Sequence, residues 1–212
     1  MQETIVNKLM EMIKSDIMSV SIRVFNDDKE AFLSFKYDKE KDCIDYEYYV
    51  NENKVNRGVV KTYEEVVSIV EQSTLLSEVT EYVQSRIDKE ERFKALKVEM
   101  TDKLNEMNLS EEQMATMISV IEITTQLSDT VGMGNRVYLN ATSDYWEHVR
   151  VTDRTRWSDT GENLHLQLVQ AMEDPEGVKH HNYPQYTFEE LVGRILESPL
   201  VEKIKSGSIK HK

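Results

Sequence analysis

Residues 62–80 read TYEEVVSIVEQSTLLSEVT, and residues 187–205 read TFEELVGRILESPLVEKIK. The two stretches align without a gap. Thr62 meets Thr187, Glu64 and Glu65 meet Glu189 and Glu190, Val67 meets Val192, Ser73 meets Ser198, and Leu75 meets Leu200. Tyr63/Phe188, Val66/Leu191, Val70/Ile195, Leu76/Val201 and Val79/Ile204 are like-for-like apolar pairs. Each stretch opens with Thr-x-x-Glu. In that pattern the hydroxyl accepts from the amide three residues on, and the glutamate reaches back to the cap amide, so each marks a helix start. Two unrelated helices can converge on such a box. The matches beyond it stay in register, and the pairing predicts one closing helix of a unit that occurs twice.

Upstream of the first copy the periodicity changes. Residues 19–61 alternate: Val20, Ile22 and Val24, then Leu33, Phe35 and Tyr37, then Ile44, Tyr46, Tyr48 and Val50, each set broken by polar neighbours. The separators NDDKE (26–30) and DKEKD (38–42) are short and turn-like. Alternating strands joined by such turns make an antiparallel meander with one buried face. A fourth strand over 55–61 runs into Thr62, with Gly58 marking a bulge or an end. Ahead of the strands, Ile5, Leu9, Met12, Ile13 and Ile17 recur at helical spacing, so residues 3–17 read as a helix packed on the sheet.

Downstream, no glycine or proline interrupts 62–107. A break near Ser73-Thr74 is expected, because the second copy carries Ser198-Pro199 there and proline suits the first turn of a fresh helix. The apolar stripe Leu76, Val79, Val83, Ile87 lapses over 88–92 (DKEER), a hinge or a solvated bridge, and resumes at Phe93, Leu96, Met100, Leu104 and Met107. Ser110-Glu111-Glu112-Gln113 is another capping box and opens a helix over 110–128, which makes an antiparallel hairpin with its predecessor. About three strands follow, around Val137–141, Val149–151 and Leu164–168, then a turn at Asp174-Pro175-Glu176-Gly177 and a polar run into Thr187. The fold class is therefore α+β: two related helix–antiparallel meander–helix units joined by a long helical hairpin. The divisions are 1–74 for the first unit, 75–128 for the hairpin that also opens the second, 129–205 for the second meander and its closing helix, and 206–212 for a flexible basic tail.

The formal net charge is −13, unevenly spread: −2 over 1–61, −7 over 62–112 and −4 over 113–212. A field of that sign repels nucleic acid and favours basic partners. Tyr46, Tyr48 and Tyr49 on the first sheet have Asp42, Asp45 and Glu47 for neighbours rather than arginines, which argues for cross-strand packing and against base stacking. There is no apolar run of membrane-spanning length and no leader-like N-terminus. The single cysteine, Cys43, excludes an internal disulfide and fits a reducing, cytoplasmic setting.

Chemistry-bearing residues concentrate in 144–181. Both tryptophans and four of the five histidines lie there. Trp146, Arg150, Arg154, Arg156 and Trp157 form the leading contact surface, because tryptophan and arginine are enriched where partners dock. A second surface is the acidic helical face with Glu64, Glu65, Glu71, Glu78 and Glu81. A catalytic alternative gathers His148 and His165 with Asp144 or Asp153 as an acid–base or metal site of a hydrolase. No metal-ligand spacing, nucleophile elbow or phosphate loop accompanies them, and no cofactor or metal is expected. The expectation is a non-enzymatic acidic binding protein, an inhibitor or adaptor that engages a basic protein surface such as that of a nucleic-acid-binding enzyme; accessory and virus-derived inhibitors have this compact, motif-free character. A third reading is a self-assembling structural protein that dimerises through the hairpin at Met114 and Met117.

Overall fold

The computed structural model describes residues 2–15, 20–26, 29–51, 53–126, 135–153 and 164–205. The protein is α+β, and its backbone contacts divide it into Met1–Asp88 and Lys89–Lys212. Among the described residues no helix is long and apolar enough to cross a membrane.

The first unit begins with α1 (Glu3–Lys14). Its buried stripe is Ile5, Val6, Leu9 and Ile13. Four antiparallel strands follow in the order β1-β2-β3-β4: β1 (Val20–Asn26), β2 (Lys29–Asp38), β3 (Cys43–Val50) and β4 (Asn53–Val60). Alternation sends Ile22, Leu33, Phe35, Ile44 and Val60 into one core with α1, with α2 (Tyr63–Gln72) and with the first turns of α3 (Leu76–Glu106). Each such apolar side chain contributes about 2 kcal/mol on burial. The opposite face carries Arg23, Glu30, Phe32, Lys36, Asp45, Glu47, Tyr49 and Arg57. There Arg23 pairs with Glu30, and Phe32 packs on Tyr49 at 6.0 Å. Gly58 is not at the bulge, which lies between Tyr48 and Tyr49. It pairs with Tyr46, and a Cβ there would meet the Tyr46 ring at 3.0 Å, so the close approach of the phenol explains the glycine.

The chain turns from α2 to α3 at Ser73. Its amide donates to Ile69 and Val70 carbonyls, its Oγ donates to Val70 O at 2.7 Å, and that same oxygen accepts from the Leu75 amide at 3.2 Å.

In the second unit the later turns of α3 pack against α4 (Glu111–Thr124), with Phe93, Leu96, Met100 and Leu104 meeting Met117, Val120 and Ile121. Lys97 reaches across to Glu122 at 3.1 Å. Met100 and Met117 are buried in this core, and Met107 and Met114 pack at its margin. The sheet is again a meander in sequence order, with β5 (Val137–Ala141), β6 (Tyr145–Asp153), β7 (Leu164–Glu173) and β8 (Lys179–Asn182). The fourth strand corrects the expectation of about three. All four β8 residues are exposed on an edge, so no apolar alternation announces it. The turn before it forms at Asp174, whose Oδ1 accepts from the Glu176 and Val178 amides, and Gly177 takes φ +80°. Helices α5 (Phe188–Leu196) and α6 (Leu200–Lys205) close the unit.

Capping boxes form at Thr62, Ser110 and Thr187. Thr62→Ala, Ser110→Ala and Thr187→Ala should each cost about 1 kcal/mol, read as a drop in the denaturant midpoint with unchanged slope.

Candidate functional site

The alternation of β6 sorts its side chains onto two faces. Val149 and Val151 enter the core beneath α4 and α5. Glu147 has the same phase and is fully buried among them. A lone carboxylate there would be untenable, and three donors resolve it. Arg194 of α5 donates through Nη2 to Oε2 at 2.6 Å and through Nε to Oε1 at 3.2 Å, and Gln170 of β7 adds a bond to Oε1 at 3.1 Å. Gln170 in turn accepts from Asn182 of β8 at 3.2 Å, so one polar chain ties α5 to three strands. The paired carboxylate raises the Arg194 pKa, and burial, followed by the charge of Glu147, raises that of Tyr145.

The other phase of β6 presents Trp146, His148, Arg150 and Thr152, opposite Ala171, Val169, Gln167 and His165 of β7. His148 is 3% exposed, and neither ring nitrogen has a hydrogen-bond partner among the described residues. The Tyr138 ring lies against it at 5.3 Å. Burial, with the charges of Arg136, Arg150 and His181 behind it, pushes the His148 pKa down to about 4. Arg150 is half-buried, its Nε also lacks a partner, and burial with the Arg136 charge lowers its pKa. Around this centre, Lys179 stands 5.6 Å above the Trp146 ring, His181 stacks on Tyr183 at 6.4 Å, and Thr152 donates to Gln167 at 3.1 Å.

His148 and His165 share this face but do not meet. His148 pairs with Val169 and His165 with Thr152, an offset of four residues, or about 13 Å along the strand. Asp144 sits in the exposed turn before β6, where it accepts from the Thr142 and Ser143 hydroxyls. Among the described residues no three histidine, cysteine, aspartate or glutamate side chains group as metal ligands. Trp146 and Arg150 are brought onto one face. Arg154, Arg156 and Trp157 lie outside the described residues, as does the side chain of Asp153 and the basic tail 206–212.

No known family, curated protein or solved structure matches this chain.

The acidic candidates sit on α2 and the early turns of α3. Glu64, Glu65, Glu71 and Glu81 are exposed and Glu78 is half-exposed. Glu65 caps α2, and the Lys61 and Thr62 amides hold its carboxyl below the usual range. Glu81 accepts from Ser77 at 3.4 Å and Asp88 from Gln84 at 2.7 Å, both neutral donors. Later in α3 Glu99 is matched by Lys103 at 2.6 Å, and Glu122 of α4 by Lys97, whereas Asp102 and Glu106 have no cationic partner among the described residues. Sequence reading passed over Glu147 and Arg194, although a charged residue in phase with Val149 and Val151 is the signal that would have found them. It also passed over Arg136 and Tyr138, which join the His148 cluster only through the β5–β6 register.

Proposed function

We propose that the protein is a non-enzymatic binding protein, an inhibitor or adaptor that engages a basic protein surface through the acidic face of α2 and the first turns of α3. One observation carries the reading: among the described residues Glu64, Glu78, Glu81 and Asp88 have no cationic partner, whereas the carboxylates Glu99 and Glu122 are each held by a lysine. Unmatched carboxylates on rigid helices are free to steer and hold a cationic partner, and their effect falls as salt rises. A reducing cytoplasmic setting fits the lone buried Cys43.

The test compares the protein with a Glu64→Lys, Glu78→Lys, Glu81→Lys triple variant. A basic partner captured from lysate at low salt is purified and its affinity measured for both. The reading expects affinity that weakens with salt and falls at least about tenfold on charge reversal. A partner whose affinity is indifferent to both would overturn it.

We also infer that the two units descend from one duplicated helix–meander–helix element. The support is detailed. Ser198 repeats the Ser73 arrangement, its Oγ donating to Ile195 O at 2.7 Å and accepting from the Leu200 amide at 3.3 Å, and both serines are buried. Val66/Leu191, Val70/Ile195 and Leu75/Leu200 are buried pair by pair. Ser73→Ala and Ser198→Ala should each cost about 1–2 kcal/mol by stranding buried backbone groups. A loss at one site with none at the other, measured by hydrogen exchange of the adjoining helices, would speak against equivalence.

A further inference from the structure

The cationic cluster on the second sheet is unexplained by packing alone. Val137 pairs with Val149 and Tyr138 with His148, so by the same register Arg136 lies opposite Arg150. Like charges directly opposite on adjacent strands destabilise a sheet. Among the described residues neither arginine has a carboxylate partner, although acidic residues outnumber basic ones 39 to 26 in the chain. Arg23 and Arg194 show the ordinary solution, each paired with a glutamate. Beside the opposed arginines stands His148, buried, with two ring nitrogens that have no partner among the described residues, and buried polar atoms without partners are rare in folded proteins. The rim of the cluster is open, with Arg136 exposed on the approach to the edge strand β5, Tyr138 44% exposed and Tyr183 43%, while His148 and the Arg150 Nε lie buried behind it.

We propose that Arg136, Arg150 and His148 form a binding site for a phosphate-class oxyanion on the sheet face opposite α4 and α5. Two guanidinium groups supply the fork-like donors that tetrahedral oxyanions accept, and a neutral imidazole supplies one N–H more. The anion removes the arginine repulsion and satisfies the orphaned histidine. The charged and titratable groups around His148 are Arg136 and Tyr138 from β5 and its approach, Arg150 on its own strand, and His181 on β8. With Tyr183 stacked on His181, they include no carboxylate among the described residues.

The full-length protein is titrated with inorganic phosphate while the His148 imidazole is followed by NMR. The expected result is a saturable shift of that ring and a rise in its apparent pKa of at least about one unit. Arg150→Gln and the exposed Arg136→Gln should each weaken binding at least about tenfold, and Arg23→Gln on the first sheet should leave it unchanged. Adenosine monophosphate is the second probe. Tighter binding than inorganic phosphate assigns the Tyr138 and Tyr183 rings as stacking surfaces for the base of a nucleotide, and equal binding assigns the phosphate alone. No saturable response at His148 to either probe, or a response that Arg136→Gln does not alter, would overturn the proposal.

Discussion

Arg194→Met is expected to destabilise the second unit by about 3 kcal/mol, the range seen when one member of a buried ion pair is removed. The reason is the carboxylate left behind. Glu147 is fully buried, and without Arg194 it keeps only the bond from Gln170. Arg194 itself is partly exposed, so its own loss is cheap, and the penalty comes from the stranded charge. Glu147→Gln should cost less, since an amide still accepts from Arg194 and demands no counter-charge. The double variant Glu147→Leu, Arg194→Met should recover most of the loss, because an apolar pair needs neither partner nor solvent. Urea unfolding of these proteins, together with the Glu147→Leu single variant that completes the cycle, reads this out. Additive losses in the double variant would show that Glu147 and Arg194 do not act on one another.

His148 should make the protein acid-sensitive in a window set by its own titration. In the fold its pKa is about 4, and in the unfolded chain an imidazole titrates near ~6.5. Between those values the unfolded state holds a proton that the folded state does not. Stability therefore rises with pH through the window, is fully present above about 7, and is lost as pH falls toward about 4. The loss amounts to roughly 3 kcal/mol at the acid end. His148→Leu removes the titrating group, so the variant should be more stable near the acid end and lack this slope. Unfolding curves for both proteins across the window check it, and identical slopes would mean that His148 titrates in the fold as it does in the unfolded chain.

Much of the architecture was legible because its signals are local. The capping boxes at Thr62, Ser110 and Thr187 depend on four residues each, and all three form. The period-two runs of the first sheet sort cleanly between Leu33 and Phe35 inside and Phe32 and Ser34 outside, so its strands followed from alternation. The second sheet was harder. β8 is Lys-His-His-Asn, an edge strand with no buried side chain, and nothing in its composition separates it from a loop. The bulge between Tyr138 and Asn140 shifts the β5 register by one, which alternation cannot reveal. The same limit governed the site. Sequence placed His148 and His165 on one face, but only the pairing to Val169 and Thr152 shows them four residues apart. Arg136 meets His148 through cross-strand neighbours, and Glu147 meets Arg194 across 47 residues. Such contacts belong to the tertiary structure and leave no spacing to read.

The central claim is that the acidic helices of the first unit are the surface that a basic partner occupies. Hydrogen exchange of the free protein and of its complex with the partner captured at low salt tests it most directly. The account predicts added protection over residues 62–88, diminished by high salt and absent in the charge-reversed variant. Protection confined to β5–β8, with residues 62–88 exchanging as in the free protein, would contradict it.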